Sequence, residues 1–278
     1  MAIENTNQFI EAAAQEPIQD RGFVTAPTGP FRIGPANTEG SPHPVRFSLV
    51  VPTYNEALNV QPFLTAVKNV LDPVLGSEYE VVLVDDDSPD RTWEIAGELL
   101  PSFPQLRIVR RRIERGLSSA VMRGWQVARA EILGTINADF QHPPSLLGAM
   151  LDQAPHSDLI VASRFVDQES MDDVTLSRRL AAGLARQVGR WVIPELFHRV
   201  SDPLSGCYMI KRCAIQGTEF HPIGFKSLLE VLSRVQIASI SECGYRIQRR
   251  RHGKSKLNLV NWYRFIVQLR RMRPASGK

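Results

Sequence analysis

Cysteine is scarce and poorly placed for chemistry: Cys207, Cys213 and Cys243 form no C-x-x-C pair. That excludes a disulfide framework and, with the six histidines scattered, a zinc site. No apolar run approaches the roughly 20 residues needed to span a bilayer. The acidic, glutamine-containing N-terminus has neither the basic start nor the apolar core of a signal peptide. The expected location is therefore cytoplasmic. Glycine-rich phosphate loops are missing as well: no G-x-G-x-x-G or G-x-x-x-x-G-K-[ST] follows the first apolar run. A diphosphate would have to be neutralised by something other than a glycine-rich helix N-terminus. Acidic residues are absent after Glu242, whereas Arg246, Arg249, Arg250, Arg251, Lys254, Lys256, Arg264, Arg270, Arg271 and Arg273 accumulate there. The net charge of +4 conceals this one-sided basic end, which should face an anionic partner.

What is present alternates. Residues 1–44, rich in Pro, Gly, Asn and Thr, read as a disordered or poorly ordered leader. Then "FSLVV", "YEVVLVDDD", "LRIVRR", "EILGTINAD" and "SDLIVASRF" are apolar runs of strand length. Between the first four lie the helical periods of "NVQPFLTAVKNVL", "TWEIAGELL" and "LSSAVMRGWQVARA", and "SRRLAAGLARQVGRWVIPELF" reads as a later long amphipathic helix. Such alternation predicts a single doubly wound α/β domain over 45–256 with a mainly parallel sheet and helices on both faces. Residues 257–278 form a basic amphipathic C-terminal helix and tail. In this architecture ligands bind outside the carboxyl ends of the strands. The polar clusters "PTYNE", "DDDSPD", "RGLSSA" and "NADFQHPP" all fall there.

Asp85, Asp86, Asp87 and Asp90 crowd into one turn, and their mutual repulsion requires donors or a cation nearby. Helix capping explains Asp90 but not the three before it. Asn137, Asp139 and Gln141 occupy alternate positions, which in extended chain share one face. Three hard oxygen donors with few charges suit Mg²⁺ or Mn²⁺, completed by substrate phosphates and water.

The motifs "VVPTYNE", "VDDDSPDRTWE", "GLSSAVMRGW", "NADFQHPP", "ASRF", "SDPLSGCYMIKR", "HPIGFKSLLEVL" and "RRHGKSKL" occur in the order and spacing of dolichol-phosphate mannosyltransferase-like enzymes. The chain thus resembles glycosyltransferase family 2, with the GT-A fold, over about residues 46–270. The resemblance implies an inverting enzyme that moves a hexose, mannose or glucose, from a nucleotide diphosphate sugar to a polyprenyl or dolichyl phosphate. It implies that Pro52, Tyr54, Glu56, Asp85 and Asp87 enclose the nucleotide, and that Asn137, Asp139 and Gln141 match the D-x-D-x-Q metal and diphosphate group. Arg164, Arg178 and Arg250 match arginines facing the sugar diphosphate and the acceptor phosphate. Asp202 lies where the fold places a residue near the transferred sugar. Ser255 and Lys256 belong to a loop that covers the bound nucleotide. Asn137 replaces the usual Asp, so the cation site carries one fewer charge; Ser145 and Cys207 replace the usual Glu and Phe. Many members continue into membrane-spanning helices, and no comparable apolar run follows residue 256. The Q-x-x-R-W spelling of Gln187 to Trp191 falls inside the predicted amphipathic helix, upstream of "SDPLSG", and carries no chemistry there.

Leu259, Trp262, Tyr263, Ile266 and Leu269 form an apolar stripe, with Arg264, Gln268 and Arg271 on another. This pattern predicts an in-plane interfacial helix holding the protein on the cytoplasmic membrane face. The same stripe fits a helix packed on the domain or on a membrane partner subunit, and a homo-oligomer is also open. Two other functions stay open at this point. A nucleic-acid-binding protein would use the basic C-terminus but leaves the acidic strand ends unexplained. A catalytically weak sugar-nucleotide-binding protein would explain Asn137.

Overall fold

The computed structural model describes residues 22–36, 44–166, 183, 187, 194–252 and 267–268. The strands are β1 (Phe31–Arg32), β2 (Phe47–Thr53), β3 (Tyr79–Asp85), β4 (Leu106–Arg110), β5 (Ile132–Thr135), β6 (Leu159–Ser163), β7 (Tyr208–Lys211), β8 (Glu219–Phe220) and β9 (Ile240–Gly244). The helices are α1 (Ala57–Leu75), α2 (Thr92–Gly97), α3 (Leu117–Val127), α4 (Leu146–Gln153), α5 (Pro194–Arg199), α6 (Arg212–Ile215) and α7 (Ser227–Arg234).

Seven strands form one sheet in the order β4-β3-β2-β5-β7-β6-β9. Pairs β2/β3, β3/β4, β2/β5 and β6/β9 are parallel, while β7 runs antiparallel between β5 and β6. Every residue of β2 and β3 is buried, which is why both read as continuous apolar runs. Alternate side chains feed two separate cores. Val50, Val82, Val84 and Val109 pack with residues of α3 and α7 on one side. Leu49, Val51, Val81, Leu83 and Ile108 pack with residues of α1 and α4 on the other. The expected doubly wound, mainly parallel architecture is what forms.

Strand order sets the site. From β2 the chain winds outward to β3 and β4, then returns to place β5 on the opposite side of β2. The crevice at this switch point lies between the carboxyl ends of β2 and β5, where Tyr54 and Asn137 follow their strands.

The leader needs correction. Residues 22–36 form an ordered strap: β1 pairs antiparallel with β8, and Ile33 is fully buried. Alternating Gly and Pro hid it, since its order comes from contacts with distant elements and not from any local period. Residues 1–21 and 37–43 lie outside the described residues, as does most of the helix expected over "SRRLAAGLARQVGRWVIPELF".

Candidate active site

Strand β5 ends at Thr135, so Asn137, Asp139 and Gln141 do not lie along extended chain as their spacing suggests. The backbone turns through residues 138–142, and Phe140 takes a left-handed φ of 61°. Burial drives this turn. Ala138 and Phe140 both enter the core, where the Phe140 ring meets Phe63 edge-on at 5.2 Å. Asp139 Oδ1 then accepts from its own turn, from Gln141 N, at 3.1 Å. Its Oδ2 accepts from Arg250 Nη2 at 2.6 Å. Gln248 N donates to Gln141 O at 3.1 Å, and the Arg251 guanidinium lies 3.9 Å from the Phe140 ring centre. The basic arm after β9 is thereby laid across the turn.

A second ion pair faces the same turn. Arg164, just after β6, grips Asp202 with two bonds, Nε to Oδ2 at 2.7 Å and Nη2 to Oδ1 at 2.9 Å. Burial raises the Asp202 carboxyl, but Arg164 more than offsets this and holds it below the ordinary carboxylate range. Lys226 donates from Nζ to Leu204 O at 2.7 Å. Burial, and after it the Arg164 charge, pushes this ammonium down to about 8. Two side chains that sequence reading missed complete the group, His142 from "NADFQHPP" and Tyr245 from just after β9, outside every motif. His142 stacks on Tyr245 with ring centres 4.8 Å apart. Among the described residues neither His142 nitrogen nor the Tyr245 hydroxyl has a hydrogen-bond partner. Burial is the main reason that the His142 imidazole is held down at about 4.

The nucleotide half of the site departs more from expectation. Asp85, expected against a base or ribose, is fully enclosed and accepts from Thr53 Oγ1 at 2.8 Å, Ser88 N at 2.7 Å and Ser88 Oγ at 2.7 Å. Burial raises its pKa above the ordinary range. These bonds tie the loop after β3 to the end of β2. Pro52 is likewise buried inside β2. Asp86 takes Arg111 Nε at 2.8 Å and Gly116 N at 2.7 Å, so the carboxylate stack is relieved by arginine and backbone donors. Asp90 accepts from Thr92 N at the start of α2 and from Ala57 N at the start of α1, as its capping role predicts. Glu56 accepts from Asn59 Nδ2 at 2.6 Å, and its own N–H donates to Thr92 Oγ1.

Tyr54 and Asp87 do line an open cleft of about 460 Å³, with Trp93, Arg110 and Arg115. Arg110 Nε donates to Asp87 Oδ1 at 2.6 Å, and its guanidinium lies 3.7 Å from the Trp93 ring centre. Arg115 lies 5.6 Å from the Tyr54 ring centre. An aromatic-walled cleft with three arginines, Arg91 paired with Glu94, Arg110 with Asp87, and Arg115 beside Tyr54, suits a planar, anionic ligand. Arg110 escaped sequence reading, although the "VRRR" that closes the third apolar run was a visible signal, and Arg115 opens the "RGLSSA" cluster expected at this end of the sheet but was given no role.

The donor set around Asp139 fits a hard divalent cation. The expected trio consists of one carboxylate, Asp139, and two amides, Asn137 and Gln141, whose oxygens are hard donors of the kind such an ion takes, and the charge of Asp139 is balanced by Arg250. Asn137 is held close: a Cβ at Gly206 would come within 2.6 Å of its Nδ2. No group of three or more His, Cys, Asp and Glu among the described residues offers a rival site. Arg178, Ser255 and Lys256 lie outside the described residues.

Known proteins similar to this chain in sequence or fold agree in kind. The model for "Glycosyl transferase family 2" matches residues 48–216. The dolichol-phosphate mannosyltransferase of Pyrococcus furiosus is 34% identical over 235 residues, 84% of this chain and 65% of that protein, so the chain spans under two thirds of that relative. The Saccharomyces cerevisiae enzyme of the same name is 28% identical over 82% of this chain and 87% of its own. Among solved structures, mannosyl-3-phosphoglycerate synthase from Rubrobacter xylanophilus superposes with a TM-score of 0.58 at 19% identity, covering 82% of this chain and 72% of that one. A glucosyl-3-phosphoglycerate synthase from Mycobacterium tuberculosis, in complex with Mn²⁺, UDP and glucosyl-3-phosphoglycerate, gives 0.58 at 19% identity, covering 84% of this chain and 82% of that one. The motifs, the mixed sheet and these likenesses have one reading: the chain belongs to glycosyl transferase family 2 and has the GT-A fold.

Proposed function

We propose that this protein transfers a hexose from a nucleotide diphosphate sugar to a polyprenyl phosphate, with inversion at the sugar. The observation that carries the reading is the convergence of the Asp139–Arg250 and Arg164–Asp202 pairs on one turn beside the switch-point crevice. The relatives named for dolichol phosphate, and an Edwardsiella ictaluri protein named for an undecaprenyl-phosphate transferase at 27% identity over 80% of this chain, support the acceptor class.

The chemistry asks little of a base. A phosphate monoester has a second pKa near 6, so the acceptor is already largely dianionic at neutral pH. One acceptor oxygen forms a bond to the anomeric carbon as the bond to the diphosphate oxygen breaks, its electron pair leaving with the nucleotide. The obstacle is repulsion between two anions. Arg250, with Arg178 as the sequence resemblance suggests, would bind the acceptor phosphate and relieve it. Arg164 would face the leaving diphosphate, its direction fixed by Asp202. Asn137, Asp139 and Gln141 would hold Mg²⁺ or Mn²⁺, which supplies Lewis-acid stabilisation to the leaving group. Tyr54, Asp87, Arg110 and Arg115 would hold the nucleotide.

No helix among the described residues is long and apolar enough to cross a membrane. Of the C-terminal helix, Val267 and Gln268 are described, and both are helical. Gln268, which the sequence places on the polar stripe, is buried, and its Nε2 donates to Lys226 O at 3.0 Å. The other residues of both stripes lie outside the described residues, and the apolar and aromatic stripe that the sequence carries supports attachment to the membrane face where the lipid acceptor lies.

The decisive experiment incubates the full chain with Mg²⁺ or Mn²⁺, a short polyprenyl phosphate and a panel of GDP- and UDP-sugars. One sugar nucleotide should yield a lipid-linked phosphosugar. Nucleotide binding with no transfer to lipid across the whole panel would instead favour the binding protein that Asn137 suggests.

A further inference from the structure

The ordered strap ends against the wall of the nucleotide cleft. Val24 N donates to Ile108 O at 2.7 Å and Ile108 N donates to Gly22 O at 2.8 Å, so Phe23 adds a parallel rung to β4, the edge strand of the sheet. Position 22 accepts glycine alone, since φ is +110° and a Cβ would sit 2.4 Å from Leu100 Cδ2. This close passage sets the Phe23 ring on α2. The ring meets Trp93 edge-on, with centres 6.3 Å apart and planes at 78°, and a Cβ on Gly97 would touch it at 3.5 Å.

Helix α2 needs such support. It is six residues long, below the length at which a helix holds itself together, so its position depends on what packs against it. Trp93 in turn carries Arg110 on its ring, and Arg110 holds Asp87, whose backbone is left-handed at φ 55°. Trp93, Arg110 and Asp87 all line the cleft. A contact made by the leader is therefore two steps from the ligand-facing guanidinium.

We propose that the N-terminal strap is a working part of the donor site and that Phe23 is a positioning residue for the nucleotide. It acts by fixing Trp93, and through it the plane of Arg110. The inference rests on reading the Tyr54–Arg115 cleft as the nucleotide pocket. Phe23 approaches neither phosphate nor sugar. Its loss should therefore weaken donor binding and leave the chemical step alone.

The test is calorimetric titration of the full-chain protein with UDP and with GDP in Mn²⁺ buffer. Variants are Phe23→Ala, Phe23→Tyr and Arg110→Ala, with Arg32→Ala as a control elsewhere in the strap. An edge-to-face aromatic contact is worth a factor of roughly 2 to 10 in an equilibrium constant. Phe23→Ala should raise the Kd of the bound nucleotide by about that factor. It should raise the sugar-nucleotide KM in parallel with kcat unchanged, Phe23→Tyr should restore both, and Arg32→Ala should change neither. Should Phe23→Ala lose its folded circular dichroism, Phe23→Leu, which keeps most of the apolar volume, carries the same comparison. Wild-type affinity in Phe23→Ala with weakened binding in Arg110→Ala overturns the inference and leaves the cleft as the nucleotide site. Wild-type affinity in Arg110→Ala overturns the cleft assignment and the inference with it.

Discussion

Arg250 Nη2 lies 2.6 Å from Asp139 Oδ2, with 17% and 5% of the two side chains exposed. The carboxylate best suited to a metal thus already holds a cation supplied by the chain. On the proposed reading a divalent ion at Asp139 competes with that guanidinium for the carboxylate. Arg250→Ala should therefore bind Mn²⁺ more tightly in the absence of nucleotide, by about tenfold if one exchanged hydrogen bond to a charged group sets the difference. It should at the same time lose most transfer to lipid. Asp139→Ala should abolish metal-dependent nucleotide binding, and Asn137→Asp should tighten the metal by restoring a second carboxylate. Mn²⁺ electron paramagnetic resonance reads all three. Unchanged Mn²⁺ affinity in Arg250→Ala would show that arginine and metal use different oxygens.

Arg164 grips the buried Asp202 carboxylate with two bonds, and removing either partner leaves a desolvated charge less well compensated. Asp202→Asn should lower unfolding stability by about 3 to 5 kcal/mol, whereas the double variant Arg164→Met, Asp202→Leu should regain part of this. Neither variant should transfer sugar, because both lose the oriented guanidinium. Urea melts alongside turnover separate the two effects; a double variant with wild-type activity would confine the pair to stability.

The parts of this fold that sequence reading found are those with local signals. β2 and β3 are buried on both faces and read as unbroken apolar runs. β9 hid because all five of its residues, "ISECG", are only half-buried at the sheet's edge, and β7 because four residues after a glycine carry too short a pattern. The same division holds in the site. Asp139, Arg164, Arg250 and Asp202 stood in recognisable motifs and do converge. Asp85 carried a motif too, but the sequence does not say that Thr53 and Ser88 consume its oxygens. Phe23, Trp93 and Arg110 come together only through contacts between distant segments, so the stretches that contain them do not show that they meet.

Acid should destabilise the protein through His142. Its folded pKa, lowered to about 4 mainly by burial, lies below the ordinary value of 6.5. Between these limits the unfolded chain binds the proton and the folded one does not, so stability falls as pH drops from 6.5 toward 4. The full effect is at most about 3 kcal/mol. His142→Phe, which keeps the stack on Tyr245 and cannot titrate, should flatten this part of the profile in metal-free buffer. Denaturant midpoints at pH 7 and pH 5 supply the comparison. Parallel curves for the two proteins would place the proton elsewhere.

Membrane attachment should depend on the C-terminal helix. Leu259, Trp262, Tyr263, Ile266 and Leu269 share the apolar stripe, and each nearby Arg or Lys adds roughly 1 kcal/mol at an anionic surface, fading with salt. The full chain should float with anionic vesicles at low salt, and replacing Trp262, Tyr263 and Ile266 with serine should leave it at the bottom of the gradient. If the serine variant still floats, the contact lies on another surface or on a partner subunit.

Gly206 tests the cation site without touching a ligand. It follows Ser205 in the "SDPLSG" segment, and a methyl group there would sit 2.6 Å from Asn137 Nδ2, with His142 Cε1 at 3.5 Å. No real Cβ contact is that short, so Gly206→Ala must push the Asn137 amide aside. Asn137 is partly exposed and its side chain is short, so the fold can absorb the shift where a ligand geometry cannot. Mg²⁺ in particular demands near-ideal octahedral placement of its oxygens, while the larger coordination sphere of Ca²⁺ tolerates displacement. Gly206→Ala should therefore keep a melting temperature near wild type yet lose Mg²⁺-dependent nucleotide binding several-fold, with Ca²⁺-supported binding less affected. If Mg²⁺ supports the variant as well as it supports wild type, Asn137 Oδ1 is not a ligand and the cation rests on Asp139 and Gln141 alone.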